Sequence, residues 1–374
     1  MGHSSRPAPI RVLMVTPNFP PHRGGVETHT YELGRRLAAM GGFAIEVLTT
    51  DRSGELPPRE EMAGIRVERV PAWPRGADLY WSPAIRRRVR DATVDLVHCQ
   101  GYHTFVPVLA MLAARQRRLP YLVTFHSGGH SSRLRHALRP VQVRLLRPLL
   151  RGARRLIAVS EFEAGLFRRA LGLATERLVT IPNGVDLPDV TAAAPGTGEP
   201  GLILSIGRLE RYKGHERLIR ALPLVRASEP TARLVILGDG PYGPTLRDAA
   251  ARAGVGDAVE ITSVPRAELT TLMQRAALVA LLSEYESQGL GAHEALAFGC
   301  RIMVSDSSAL AELRDLPQVA TVPHGADDRA VAEVLRAQLA AGPMAADPQL
   351  SLPTWDECAQ RLAAVYREVG ASRT

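Results

Sequence analysis

Short runs of β-branched and aliphatic residues alternate along the chain with longer segments whose apolar positions recur every three or four residues. That alternation predicts strand–helix units wound around parallel sheets, and the fold class is α/β. In the first half the strands are IRVLMVTP, FAIEVLTT, IRVERV, DLVHCQ, YLVTFH, RLIAVS and RLVTIP, with helices such as THTYELGRRLAAM between several of them. A second series, GLILSIG, RLVILG, AVEITS, LVALLS and RIMVSD, alternates with the helices GHERLIRALPLVRA, PTLRDAAARAG, AELTTLMQRA and LGAHEALAF. Between the two series LPDVTAAAPGTGEP is rich in Pro, Gly and Ala and has no periodicity, which reads as a linker. The expected organisation is a first domain over 1–187, a linker over 188–200, a second domain over 201–353 and a terminal helix over 354–374, opened by Thr354 as N-cap.

Composition narrows this picture. With 374 residues, 45% of them hydrophobic, the chain can bury two ordinary cores. The longest apolar stretch, FVPVLAMLAA, is half of the ~20 residues that cross a bilayer, and IRVLMV is too short for a secretory signal. A cytoplasmic protein is expected. Cys99, Cys300 and Cys358 are scattered, with no C-x-x-C pair, so they read as reduced, buried thiols. A formal charge of +8 points to an anionic partner. The arginines concentrate between Arg133 and Leu156, at roughly helical spacing interrupted by Pro140 and Pro148. Two readings apply there: a solvated helix face, or a peripheral contact with an anionic membrane, which would lie at its inner face. No aromatic residues interleave with these arginines and no nucleic-acid-binding signature occurs, so nucleic acid is not an expected partner.

Candidate chemistry falls where strands hand over to helices. Gly24 and Gly25 follow the first strand and precede a helix, where backbone N–H groups and the helix dipole face an anion, although a Gly-Gly turn alone is ordinary. Arg208 and Lys213 follow the first strand of the second series, close enough for both cations to converge on one diphosphate. His126 ends a strand before Ser127 and two glycines, and IPNGVD closes the first domain with a turn. In VSEFEAG, Ser160 and Glu161 read as a helix cap and a first-turn acid. Glu286 lies in a loop, and Gln288, Gly289 and Leu290 lead into a helix that carries Glu294 in an early turn. That spacing allows either an acid–base pair, which must flank one bond at a set separation, or two clamps on different parts of one ligand.

GGVE, TFHSG, IPNGVD, GRLERYKG and E-x7-E, in this order, together with LGDGP and the tryptophan-led last helix, resemble the retaining GT-B glycosyltransferases of the large family four. The resemblance covers nearly the whole chain. It implies two doubly wound Rossmann-like domains facing a central cleft, and transfer of a sugar from a nucleoside-diphosphate-sugar donor to an acceptor hydroxyl with retention. Gly24, Gly25, Arg208 and Lys213 would then hold the diphosphate, Glu294 the ribose, Glu286 the donor sugar with Gln288, Gly289 and Leu290 beside it, and His126 the sugar near the reaction centre. The last helix would pack back on the N-terminal domain. Tyr102, His103 and Ser127 are the acceptor-side candidates, for an acceptor sugar, a glycoside, a lipid-linked glycan or a small-molecule aglycone. The nucleotide-sugar is a co-substrate; no cofactor is required, and without a D-x-D at a strand end no obligatory metal is expected. The chain departs from the family pattern at Gln288, at His293 and in SDSSALAEL, which lacks the glycine pair before Glu312. These departures bear on the identity of the sugar and leave room for an unusual or amino-bearing one. A GT-B epimerase or phosphorylase, and a catalytically inactive membrane-surface binding protein, are the alternative readings.

Overall fold

The structure is a computed structural model that describes residues 8–22, 24–75, 80–127, 133–186, 198–342 and 350–371. Its contacts divide the chain into two compact units. The first holds the residues up to Ser127, Leu138–Gly184 and the segment from Trp355; the second is built on Val185–Thr354.

The first unit contains strands β1 (Ile10–Val15), β2 (Phe43–Asp51), β3 (Arg59–Met62), β4 (Ile65–Pro71), β5 (Leu96–Gln100), β6 (Tyr121–Thr124), β7 (Arg155–Ala158) and β8 (Leu178–Thr180). They form one sheet in the order β3-β4-β2-β1-β5-β6-β7-β8, parallel throughout except for the β3–β4 pair. Order runs outward from β1 in both directions, the doubly wound arrangement that places ligands at the carboxyl ends of the strands. The helices are α1 (Gly25–Ala39), α2 (Pro83–Asp91), α3 (Phe105–Gln116), α4 (Arg133–Gly152) and α5 (Glu161–Leu171). The central strands are buried on both faces because helices cover both; β5, for example, is buried at every residue, including the polar His98 and Gln100.

The second unit contains β9 (Glu199–Ile206), β10 (Arg233–Leu237), β11 (Val259–Thr262), β12 (Ala276–Leu281), β13 (Ile302–Asp306) and β14 (Val319–Pro323), a fully parallel sheet in the order β11-β10-β9-β12-β13-β14. Its helices are α6 (His215–Arg226), α7 (Gly243–Arg252), α8 (Arg266–Arg275), α9 (Leu290–Ala297) and α10 (Asp328–Ala340). The last helix, α11 (Trp355–Ala371), belongs to the first unit. It buries Trp355 and Tyr366 there, and Arg36 on α1 holds Asp356 at 2.7 Å.

Four features depart from the sequence pattern, one of them β14, a sixth strand of the second sheet that was not among the expected strands. β3 was not expected: its sequence, Arg-Glu-Glu-Met, has no apolar signal, and it forms as an antiparallel edge strand held by β4, where charge is what an unpaired edge carries. The linker is shorter than 188–200, because Glu199 and Pro200 already lie in β9. Glu199 is fixed there by Arg233 at 2.6 Å and Arg275 at 2.7 Å, and it pairs in register with Ala276. Pro140 and Pro148 do not interrupt α4. Both are on its exposed side, where water can take the carbonyl that each proline leaves without an N–H partner. All three cysteines are free and buried. Among the described residues no helix is long and apolar enough to cross a membrane.

The Tyr366 hydroxyl is 2.6 Å from His98 Nδ1, in a wholly buried contact between α11 and β5. Tyr366→Phe leaves His98 Nδ1 only a longer contact with the Gln100 amide at 3.5 Å and is expected to lower unfolding stability by about 0.5–1.5 kcal/mol in urea titrations, whereas a substitution on the exposed face of α11, such as Gln360→Ala, should stay within about 0.5 kcal/mol.

Candidate active site

The loops after β9, β10 and β12 are locked together at the carboxyl end of the second sheet. The Glu284 N–H donates to the Tyr212 carbonyl at 2.7 Å, and the Leu209 N–H donates to the Asp239 carbonyl at 2.9 Å. Two glycines permit this closeness. Gly214 has φ +73°, and a Cβ there would lie 2.0 Å from the Leu282 carbonyl oxygen; at Gly238, φ +157°, it would lie 1.9 Å from the Gly207 oxygen.

This clamp sets Lys213 against Glu286. Lys213 Nζ donates to Glu286 Oε1 at 2.6 Å, and the Ser283 hydroxyl donates to the same oxygen at 2.7 Å. Both side chains are mostly buried, at 16% and 14% exposure. Burial works against the lysine's charge, but the Glu286 carboxylate outweighs it and raises the Lys213 pKa above the ordinary lysine value. Arg208 is different: its guanidinium is 62% exposed and reaches Glu210 at 3.7 Å. The two cations therefore do not share a partner; one is a fixed ion pair and the other is open to solvent. His215 sits beneath them, Nδ1 2.9 Å from the Ser205 hydroxyl and Nε2 3.3 Å from the Arg208 carbonyl, and burial brings its pKa down to about 4.

Glu286 and Glu294 answer different cations. Gly289, at φ +85°, caps α9, which begins at Leu290 and turns Glu294 toward Arg266 on α8 at 2.6 Å. Gln288 is buried at 3% exposure, and His293 Nδ1 is 3.1 Å from the Gly289 carbonyl. The two carboxylates thus have separate partners and separate directions.

In the first unit Gly24 caps α1 in an extended conformation with φ 170°, which any residue adopts, and Gly25 is the first helical residue. The Glu27 carboxylate stands beside Gly24, so an acid of the helix's own first turn occupies the N-terminus where an anion is expected. His126 is nearly buried and has φ +47°. Its Nε2 is 2.9 Å from Gln100 Oε1, and its ring lies edge to face with His29 at 4.4 Å. His29 Nδ1 donates to Asn183 Oδ1 at 2.6 Å, leaving Nε2 without a hydrogen bond partner. Behind Gln100, His98 contacts Tyr366 and the Thr124 hydroxyl at 2.8 Å. Burial, reinforced by the neighbouring rings, keeps His126 neutral with its pKa well below 6.5. Since Gln100 Oε1 accepts from Nε2–H, the lone pair of His126 is at Nδ1, which can accept a hydroxyl proton.

Two acceptor-side candidates are corrected. Tyr102 is 1% exposed, packed edge-on against Phe125 and Phe167, which makes it core. The Ser127 hydroxyl and N–H both donate to Glu163 Oε1, the hydroxyl at a very short distance, which commits Ser127 to structure. His103 remains exposed.

Residues 23–188 match the family described as Glycosyltransferase Family 4, and residues 192–345 match Glycosyl transferases group 1. The chain is 31% identical over 313 residues to the GDP-mannose:cellobiosyl-diphosphopolyprenol alpha-mannosyltransferase of Komagataeibacter xylinus, covering 81% of this chain and 77% of that one. It belongs to glycosyltransferase family 4. This glycosyltransferase is also 31% identical over 398 residues to the D-inositol 3-phosphate glycosyltransferase of Nocardiopsis dassonvillei, covering 94% and 91% of the two chains. Its fold matches the sucrose-phosphate synthase of Thermosynechococcus elongatus with a TM-score of 0.76 at 20% identity, over 97% of this chain and 100% of the other, so the fold is GT-B.

The sequence reading of the glycosyltransferase missed His29, His98, Gln100, Asn183, His215 and Glu163. Asn183 stood inside a motif read as a turn, and Glu163 three residues past a helix cap. Glu163 is wholly buried; burial raises its pKa to about 7 despite hydrogen bonds from Ser127 and from the Val159 N–H at 2.9 Å. Glu163→Gln places an amide donor against a backbone donor and is expected to lower stability by about 1–3 kcal/mol in urea titrations.

The buried histidines set the pH dependence. His29, His98 and His215 have folded pKa values of about 4, about 3 and about 4, and burial also lowers His126 and His293, so as pH falls through 6.5 the unfolded chain takes up protons that the fold refuses. Glu163 acts in the opposite sense, protonating first in the folded state between pH 7 and 4.5. The histidines prevail. The unfolding free energy is expected to fall steadily from pH 6.5 to 4.5 in urea titrations, and His98→Gln should make the fall shallower.

Proposed function

We propose that this protein transfers a hexose from a nucleoside-diphosphate-sugar to an acceptor hydroxyl with retention of anomeric configuration. The observation that carries the reading is the cation–carboxylate arrangement at the ends of β9 and β12: Lys213 fixed at 2.6 Å on Glu286, with the exposed Arg208 on the same loop. Two cations on a loop locked at the carboxyl end of a doubly wound sheet suit two neighbouring phosphates. The nucleotide-sugar use named for the Komagataeibacter relative supports the same donor class.

In this reaction the bond from the anomeric carbon to the phosphate oxygen breaks, and the electron pair leaves with the nucleoside diphosphate. Arg208 and Lys213 meet the charge that develops there, which lowers the barrier because both are already in place. The acceptor oxygen bonds to the anomeric carbon on the face that the diphosphate leaves, and its proton passes to the departing phosphate oxygen. Glu286 serves twice: it holds Lys213 and offers its carboxylate to donor-sugar hydroxyls. Glu294 takes the ribose hydroxyls, sharing its carboxylate with Arg266. The resemblance assigns Gly24, Gly25 and His126 to the same donor, and a neutral His126 with its lone pair at Nδ1 suits a sugar hydroxyl. Gln288 and His293 on the α9 side bear on which sugar is accepted. The cations do the electrostatic work that a metal would do, so the reaction is proposed to need none.

The test is a binding and turnover series on a panel of nucleotide-sugars. Arg208→Ala is expected to weaken nucleoside diphosphate binding by about 1.5–3 kcal/mol, the value of one charge-assisted hydrogen bond. Glu294→Ala should act chiefly on nucleotide affinity and Glu286→Ala chiefly on kcat; the reverse pattern overturns the assignment. Proton NMR should show a product with the donor's anomeric configuration, and inversion would end the retaining reading. Turnover should survive EDTA.

A further inference from the structure

α4 carries six arginines and a histidine in 20 residues, with no acidic side chain. Val143, Leu149 and Leu150 bury its inner face in the core. On its outer side Leu138, Val141 and Leu145 are 50%, 52% and 74% exposed. Steps of three and four residues put all three on one face, one above the other. Pro148, also exposed, continues the row, and Arg144 and Arg151 are exposed on the adjacent face. The Gln142 amide donates to the His103 carbonyl at 3.2 Å and ties the helix to the turn before α3, whose first residue, Phe105, is 47% exposed.

Single exposed leucines need no explanation, but an aligned row beside cations alone has the makeup of a helix that lies in a membrane interface. We propose that this face of α4 docks on an anionic lipid bilayer. The helix lies in the headgroup plane, with Leu138, Val141 and Leu145 at the acyl boundary and Arg144 and Arg151 on lipid phosphates. Charge selects this occupant. A second copy of the chain would bring two acid-free, arginine-rich faces together about a twofold axis. A bilayer rich in anionic lipid answers both the cations and the apolar row. Under the transferase reading above, on which this clause rests, docking assigns the acceptor to the class of sugars carried on a lipid anchor.

Docking is measured without any sugar, so the two ideas fail separately. The full chain is sedimented with vesicles of phosphatidylglycerol and, in parallel, of phosphatidylcholine. At least tenfold preference for the anionic vesicles is expected, with release by 0.5 M salt as the Debye length shrinks to a few ångströms, roughly 4 Å. Leu138→Glu with Leu145→Glu should weaken binding at least tenfold while leaving the melting temperature unchanged, because both positions are exposed. Equal binding to the two vesicles, or binding indifferent to the double variant, overturns the proposal. So does light scattering that finds a dimer which the double variant splits. In the turnover arm, a sugar acceptor on a lipid anchor in anionic vesicles should outperform its water-soluble headgroup; equal rates would remove the acceptor assignment and leave docking intact.

Discussion

The second unit is organised around one buried ion pair, Lys213 with Glu286. Neither charge is stable alone where it sits, and removal of one partner from such a pair typically costs about 3–5 kcal/mol. The backbone makes the pairing unavoidable: the Glu284 N–H on the Tyr212 carbonyl joins the two loops, and the absence of a Cβ at Gly214 lets one loop rest on the end of β12. Ser283 supplies a second donor to the same carboxylate oxygen. The lysine is therefore presented at the sheet end in one position and permanently charged, while Arg208 keeps the freedom of a long exposed side chain. A fixed cation beside an adaptable one is a sound arrangement for a ligand whose charge moves during reaction, since the fixed charge needs no reorganisation.

The first unit uses the opposite chemistry. Its central polar groups, His29, His98, His126, Gln100 and Asn183, are buried and neutral, and they are ordered by hydrogen bonds rather than by charge. The chain runs from Tyr366 on α11 through His98 and Gln100 to His126, which gives α11 a chemical connection to the strand ends as well as a packing one. The arrangement explains why the C-terminal segment joins the first unit after the chain has completed the second: Trp355, near the His29 ring, and Tyr366 fill positions that α1 and β5 leave open.

Much of this was legible from residue order. Parallel strands that are buried on both faces carry continuous apolar runs, so twelve of the strands announce themselves by composition, and Gly, Arg and Lys at strand ends mark where chemistry belongs. What escaped depended on partners far along the chain. β3 exists only because β4 pairs with it. Asn183 looks like any turn asparagine until α1 places His29 against it, 154 residues away in sequence. Tyr102 and Ser127 read as acceptor-side candidates because spacing cannot tell a strand-end side chain that faces outward from one folded back on Phe167 or Glu163. The expected convergence of Arg208 and Lys213 likewise ignored Glu286, which reaches the lysine first.

Backbone strain marks the same places independently. Four residues other than glycine have positive φ among the described residues: Ala63, Arg118, His126 and Ser308. Ala63 and Arg118 lie in exposed turns, where a left-handed residue reverses the chain. His126 and Ser308 serve no such reversal. Ser308 turns its hydroxyl to accept the Glu286 N–H at 2.8 Å and so fixes the loop that carries the buried carboxylate. His126 turns its ring onto Gln100 and His29. Each conformation costs on the order of 1–3 kcal/mol and persists only because its surroundings hold it. In both units the cost falls on the residue that orients a polar group at the carboxyl end of a parallel sheet, which is where a doubly wound protein meets its ligand.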